Sequence, residues 1–373
     1  MKIFFCDNRL GGLLGFRIDI IRYFAEQGHD VCLVAPPAVT DWDKVGAQLP
    51  NGVRIKHIKM QPSGINPLSD ISLFFQYLKI FHDERPDIVF NYTIKPNIYS
   101  AIAAKRCGSR VFSMLAGLGY MFEGKGLLKS LGLRLYKYGL SKAEKIMVLN
   151  QMNYDKMIAT KMVDRNKLLH LTGGEGVNLN EYQHKPTNYT NHTTFLMVSR
   201  MLKDKGYTEF IEAAKKLKGQ CQNVSFEILG PTAYDSPMGV NQVTFENDQK
   251  ASLFHYLGVV QNINSVVGRE DVVVVLPSKY GEGLNRSLME ACAIGRPIIT
   301  TDIPGCKETV DEGRNGFLVP MGDAEALAEA MKRFLALSEN DKEKMASESR
   351  KLANEKFDVN KVIKVYEQFI SQV

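Results

Sequence analysis

Two carboxylates eight residues apart, Glu282 and Glu290, frame a glycine-rich turn in the run V-V-V-V-L-P-S-K-Y-G-E-G-L-N-R-S-L-M-E-A-C-A-I-G-R-P-I-I-T-T, residues 272–301. Upstream, Arg200 and Lys205 follow another apolar run, with Asp204 between them. A flexible Lys and a forked Arg suit a diphosphate, because they neutralise the charge that grows on it as it leaves. The turn at 281–285 opens a helix, and free amides and the dipole at a helix N-terminus favour an anion. A carboxylate beside that anion is repelled, so Glu282 and Glu290 are better placed to accept hydrogen bonds from hydroxyl groups. Glutamates are mostly solvated, and two of them mean little alone. Their position at the exit of a buried strand gives them weight. Together these groups describe a site for a nucleoside diphosphate sugar.

The elements that position them follow from pattern. Residues 272–276 are a continuous β-branched run, as in a parallel strand covered on both faces. A helix is expected over 285–294 and a strand over 297–301. Strands are also expected at 195–199, leading to Arg200, and at 224–229, ending at Gly230. Shorter ones are expected at 243–247, 253–258 and 316–319, and helices at 207–217, 263–267, 323–336, 341–354 and 360–371. The first half opens with a strand (2–6), a turn (7–15) carrying Gly11, Gly12 and Gly15, a helix (16–27) and a strand (29–35). That is a βαβ unit without the G-x-G-x-x-G of a dinucleotide site. Its glycines serve either chain reversal or a close approach of backbone amides to a sugar or phosphate. Strands at 53–59, 87–91, 110–115 and 146–150 follow. An amphipathic helix over 68–82 carries apolar residues at 71, 74, 75, 78 and 81. Further helices are expected at 98–106 and 151–161. Polar or glycine-rich loops close two of these strands: N-Y-T-I-K-P-N, with Asn91, Lys95 and Asn97, and A-G-L-G, with Gly117 and Gly119. In open parallel sheets ligands sit beyond the carboxyl ends of the strands. The expected architecture is two doubly wound α/β domains facing each other across a cleft. A polar stretch at 180–194 is the best linker. The boundaries are then 1–180 and 181–356, with a helix at 357–373 crossing back to the first domain.

Bulk properties agree with a folded protein: 373 residues, 45% hydrophobic and 24% charged. Six scattered cysteines read as thiols in a reducing compartment, and seven dispersed histidines show no metal-ligand spacing. No apolar run is long enough to span a bilayer. A formal charge of +6 suits phosphate-rich ligands or an anionic membrane. Without interleaved aromatic platforms it does not argue for nucleic acid. Residues 124–145 mix leucines and tyrosines with Lys125, Lys129, Arg134 and Lys137 and one acid, Glu144. Such a helix either lies on a membrane surface with its cations toward lipid headgroups or packs as an ordinary surface helix.

The run L-P-S-x-x-x-E-G-x-x-x-x-x-x-E-A-x-x-x-G-x-P-I-I, preceded by S-R-x-x-x-x-K-G, resembles the retaining glycosyltransferases of family 4, which have the two-domain GT-B fold. T-I-K-P-N-I-Y at 93–99 and A-G-L-G at 116–119 resemble a subgroup that builds bacterial surface glycans on undecaprenyl diphosphate. The resemblance implies that Glu290 takes the ribose hydroxyls and Glu282 those of the donor sugar. Arg200 and Lys205 take the diphosphate, helped by Gly283, Leu284 and Asn285. Gly230, Gly258 and Val260 border the base, and Gly11 and Gly12 approach the phosphate from the other domain. The acceptor falls to Asn91, Lys95, Asn97, Gly117 and Gly119. Many family members carry a first-domain histidine near the sugar. The corresponding loops here have none.

The implied activity is that of a UDP-sugar-dependent hexosyltransferase. It would move a sugar, an N-acetylhexosamine first among the candidates, to an undecaprenyl-diphosphate-linked saccharide with retention, in surface polysaccharide biosynthesis or protein glycosylation. No D-x-D pair accompanies the diphosphate groups, so no metal or other cofactor is expected. The enzyme would work in the cytoplasm or peripherally on the cytoplasmic face of the inner membrane. UDP-glucose or UDP-galactose as donor, a UDP-sugar epimerase of the same fold and a non-catalytic nucleotide binder are the alternatives. Oligomeric state is not legible.

Overall fold

Valine, isoleucine and phenylalanine runs, buried on both sides, set the architecture of the chain. The computed structural model describes residues 1–37, 49–61, 66–117, 127–260, 262–281 and 283–371. Two compact units result, residues 1–175 with 359–373, and residues 176–358.

In unit 1 the strands are β1 (Lys2–Cys6), β2 (Asp30–Ala35), β3 (Arg54–His57), β4 (Ile88–Tyr92), β5 (Arg110–Leu115), β6 (Lys145–Val148) and β7 (Leu168–His170). They pair in parallel in the order β3-β2-β1-β4-β5-β6-β7. The helices are α1 (Leu10–Phe16), α2 (Ile18–Glu26), α3 (Pro67–Glu84), α4 (Ala101–Arg106), α5 (Leu127–Ser141) and α6 (Gln151–Ala159). A π-helical turn, Pro96–Ser100, leads into α4. On one face of the sheet Phe4, Val89 and Val111 pack under Leu73, Tyr77 and Phe81 of α3. On the other, Phe5, Phe90 and Phe112 lie in register and stack at 5.2 and 5.3 Å.

Unit 2 has β8 (Thr193–Val198), β9 (Val224–Leu229), β10 (His255–Tyr256), β11 (Val272–Leu276), β12 (Ile298–Thr301) and β13 (Gly316–Val319). All are parallel, in the order β10-β9-β8-β11-β12-β13. Its helices are α7 (Tyr207–Leu217), α8 (Gln242–Lys250), α9 (Asn264–Val267), α10 (Arg286–Ile294), α11 (Ala324–Leu335) and α12 (Glu339–Leu352). The last helix, α13 (Val359–Ser371), belongs to unit 1, where Tyr366 and Phe369 pack on Phe90 and Phe112 at 4.7 and 4.6 Å. The chain is therefore α/β, with two parallel sheets flanked by helices. Each sheet reverses its direction of winding once, between β1 and β4 and between β8 and β11. Those are the places where open parallel sheets bind ligands. Among the described residues no helix is long and apolar enough to cross a membrane.

Three local expectations are corrected. Residues 10–16 are helix α1, not part of a turn; Gly11, Gly12 and Gly15 lie within it. The stretch 243–247 is not a strand but part of α8. Asn241 caps that helix, its Oδ1 accepting from Val243 N (3.0 Å) and Thr244 N (3.3 Å), and Phe245 is its buried anchor. On α3 the buried face is Asp70, Leu73, Tyr77 and Phe81, so Ile71 and Phe75 of the expected apolar stripe are exposed.

Candidate functional site

The carboxyl edge of the unit 2 sheet gathers several of the predicted residues. β8 runs into Arg200, and the short turn Lys203–Lys205 ends at Lys205. β9 ends at Gly230 with φ +140°, where a Cβ would stand 2.0 Å from the carbonyl of Ser199. Glycine is thus required for the two strand ends to approach. Gly230 N donates to the Gly258 carbonyl (2.8 Å), and Tyr256 Oη to the Gly230 carbonyl (2.9 Å). Gly230 and Gly258 therefore form one edge, and Val260 follows two residues on. The turn after β11 is fixed to the Lys203–Lys205 turn: Lys279 N donates to the Asp204 carbonyl at 2.7 Å.

Asn285 caps α10, its Oδ1 accepting from Leu288 N (3.1 Å) and Ser287 Oγ (2.8 Å). Gly283 and Leu284, both buried, precede it. Asn285 N donates to Gly305 (2.8 Å), in the loop that also carries Cys306. Burial pushes the Lys205 ammonium down to about 8; Cys306 opposes that shift and Arg200 adds to it. The buried Cys306 thiol is pushed up to about 11. Lys205, Arg200, Cys306 and the α10 cap thus share one environment. A poorly solvated cation beside a helix N-terminus can bind an anion strongly, because water competes little there.

Glu290 lies one turn inside α10 and is buried. Arg286 Nε donates to its Oε1 at 2.7 Å, and Arg286 Nη1 reaches the Gly176 carbonyl at 2.6 Å. Burial raises the Tyr182 hydroxyl pKa, and the nearby Glu290 charge adds to the shift. Arg286 and Tyr182 hold the carboxylate in place. Neither was singled out from the sequence, although the spacing of Arg286 and Glu290 along one helix face was visible. Glu282 lies outside the described residues.

Unit 1 has its own strand-end cluster. Asp7, just beyond β1, is buried; Arg17 Nη1 lies 3.2 Å from its Oδ2, and Arg17 Nη2 lies 2.7 Å from Glu175 Oε1. The same Nη1 donates to the Gly12 carbonyl (2.8 Å), and the guanidinium stacks 4.3 Å from the Tyr92 ring. A Cβ on Gly12 would meet Asp7 Oδ2 at 2.9 Å, so glycine lets α1 sit against the carboxylate. Gly11 is half-buried at its start.

Asn91 and Asn97 are buried, and Asn97 Nδ2 donates to the Met114 carbonyl at 2.9 Å. Lys95 is also buried and pairs with Asp70 at 2.7 Å. In this structure Lys95 and Asn97 brace their loop from within, while the buried Asn91 amide makes no side-chain hydrogen bond among the described residues. Gly117 is half-buried at the end of β5, while Gly119 and Lys125 fall outside the described residues. On α5, Arg134 and Lys137 are exposed and Lys129 half-buried. Among the described residues no cluster of three or more His, Cys, Asp or Glu could hold a metal.

Comparison with known proteins adds the family. Residues 180–352 match the family described as "Glycosyl transferases group 1", and residues 13–150 match "Glycosyl transferase 4-like". Over the full length of both chains, this one is 24% identical to the N,N'-diacetylbacillosaminyl-diphospho-undecaprenol alpha-1,3-N-acetylgalactosaminyltransferase of Campylobacter jejuni. It is 26% identical to the capsular polysaccharide biosynthesis glycosyltransferase CapM of Staphylococcus aureus, over 81% of each chain. The crystal structure of Anabaena Alr3699/HepE with UDP and glucose superposes over the whole of both chains with a TM-score of 0.80 at 18% identity. The chain belongs to the GT-B glycosyltransferases related to family 4, with a group 1 glycosyltransferase region following a 4-like one.

Proposed function

We propose that this glycosyltransferase moves an N-acetylhexosamine from its UDP-sugar to a hydroxyl of an undecaprenyl-diphosphate-linked saccharide, with retention at the anomeric carbon and without a metal, in surface glycan biosynthesis. The observation that carries the reading is the gathering of Arg200, Lys205 and the α10 cap at one sheet edge. The Campylobacter relative's name, an N-acetylgalactosaminyl transfer onto a diphospho-undecaprenol, supports the sugar and carrier class.

In this reading Arg200 and Lys205 stabilise the charge that develops on the departing diphosphate. Gly283 and Leu284 offer backbone amides to the same group, and Asn285, whose own amide is bonded to Gly305, contributes by capping the helix N-terminus beside it. Glu290 accepts the ribose hydroxyls, held by Arg286 and Tyr182. Glu282 reads the donor sugar, and Gly230, Gly258 and Val260 border the base. Gly11 and Gly12 supply further phosphate contacts, and the loops at 91–97 and 116–119 receive the acceptor. With no protein nucleophile assigned, substitution proceeds on the front face, where the leaving phosphate oxygen accepts the acceptor's proton. Lys125, Lys129, Arg134 and Lys137 meet the anionic cytoplasmic face of the inner membrane, where the lipid-linked acceptor resides.

The test is a donor assay with a polyprenyl-diphosphate-linked saccharide in the presence of EDTA. UDP-N-acetylgalactosamine or UDP-N-acetylglucosamine is consumed only when acceptor is present, and NMR of the product shows the donor's α-configuration kept. Donor conversion without acceptor would identify an epimerase instead. Activity abolished by EDTA and restored by Mg²⁺ would overturn metal independence, and preference for UDP-glucose or UDP-galactose would overturn the sugar.

A further inference from the structure

Helix α3 buries Asp70, Leu73, Tyr77 and Phe81 and turns a different apolar set outward. Leu68 is 81% exposed, Ile71 55% and Phe75 59%. Steps of three and four place them on one helix face. Soluble surfaces seldom carry such a row, and a contiguous one marks an interaction site.

The same face becomes cationic along its length. Lys79 follows Phe75, and exposed Arg85 and Arg106 line a groove of about 700 Å³ between α3 and α4. The acid there, Asp83, is already paired with Lys79 (3.2 Å) and His82 (3.2 Å). α3, the π-helical turn, α4 and α5 pack side by side as one layer on the sheet. On α5, Leu131 and Tyr138 are 63% and 52% exposed, beside exposed Arg134 and Lys137. Ile94, at the head of the π-helical turn, is exposed as well. Apart from Met1, Phe16 and Met152, every exposed large apolar side chain of unit 1 among the described residues lies on this layer.

We propose that the Leu68–Ile71–Phe75 face of α3 inserts into the interface of an anionic lipid bilayer, with the cations around the α3–α4 groove taking lipid phosphates. An apolar row grading into cations is the pattern of a helix lying in the headgroup boundary. The core of a protein–protein interface is instead depleted of charge. The face lies in the same helical layer as the α5 surface assigned above to the membrane, and the inference rests on that reading. It adds a second apolar anchor, on α3, to the basic amphipathic helix that the sequence presented at 124–145. Two signals are what stable peripheral binding needs.

The full-length protein is co-sedimented with phosphatidylglycerol/phosphatidylethanolamine vesicles and, separately, with phosphatidylcholine vesicles. Wild type binds the anionic vesicles, and the exposed-face variant Leu68→Ser/Ile71→Ser/Phe75→Ser binds them about 10- to 100-fold more weakly. Its transfer rate to a water-soluble, short-chain acceptor stays unchanged. Failure of wild type to bind anionic vesicles would overturn the membrane reading, and this proposal with it. If wild type binds, a Lys129→Glu/Arg134→Glu/Lys137→Glu variant is weakened and the α3 variant is not, this proposal alone falls. Sedimentation velocity completes the test: loss of a dimer in the α3 variant, with vesicle binding intact, would assign the face to a second copy of the chain and overturn the proposal.

Discussion

Lys205→Ala lowers kcat for sugar transfer by about 100- to 1,000-fold and raises the donor KM by less than about tenfold. The asymmetry follows from when the charge appears. In the bound donor the diphosphate charge is spread and partly satisfied by the α10 amides. As the glycosidic bond breaks, further negative charge gathers on the leaving oxygen, and a cation placed to meet it contributes mostly in the transition state. Burial holds the Lys205 ammonium away from bulk water, which strengthens that interaction. Steady-state kinetics with donor and lipid-linked acceptor checks it. A variant with near-normal kcat would remove Lys205 from the chemistry.

Arg296→Met destabilises the protein by about 4 kcal/mol or more, a loss large for a single substitution. Arg296 is fully buried. It spends its donors on main-chain carbonyls: Nε on Val267 (3.0 Å), Nη1 on Lys185 (3.0 Å) and Gly295 (3.1 Å), and Nη2 on Pro186 (3.1 Å) and Gly268 (3.1 Å). Those carbonyls come from three separated segments: the start of unit 2, the end of α9 and the C-cap of α10. A methionine fills the volume but leaves the carbonyls without donors, each at about 1–3 kcal/mol less whatever water recovers. Because α10 carries the Asn285 cap and Glu290, loosening its C-terminus also loosens the candidate site. Arg296→Lys restores little, since one ammonium cannot span the fork of carbonyls. Urea unfolding followed by circular dichroism measures the loss, and an unchanged midpoint would contradict this account.

What could be read from the sequence was local. The strand at Val272–Leu276 announces itself by its β-branched run, and α10 by Asn285 at its start and Gly295 at its end. Neighbouring residues decide those features, so a one-dimensional reading reaches them. Helix α1 was hidden because it is set by a distant contact: Arg17 joins Asp7 and the Gly12 carbonyl to Glu175, 158 residues away. α8 was hidden by Val243 and Phe245, which look like strand residues, while Asn241 supplied a cap that outweighed them. The α3 register turned on the buried Lys95–Asp70 pair and on Tyr77 and Phe81 packing inward. No apolar count could show that this would leave Ile71 and Phe75 outside. At the site, carboxylates and cations were visible as types. Arg286 and Tyr182 as the groups that hold Glu290 became apparent only in three dimensions.

The most direct test of the diphosphate site is calorimetric titration of UDP between pH 6.5 and 9.5, in buffers of different ionisation enthalpy. With the free Lys205 amine at about 8, the ammonium is present below that pH and lost above it. A bound diphosphate favours the charged form and draws the proton back. The account predicts a UDP affinity that Lys205 leaves unchanged well below pH 8, a Lys205-dependent fall of up to about tenfold in all as the pH rises through and above 8, and net proton uptake near pH 8.5, all absent in Lys205→Ala. UDP binding with no proton uptake, and with the same pH profile in wild type and variant, would show that Lys205 does not meet the diphosphate.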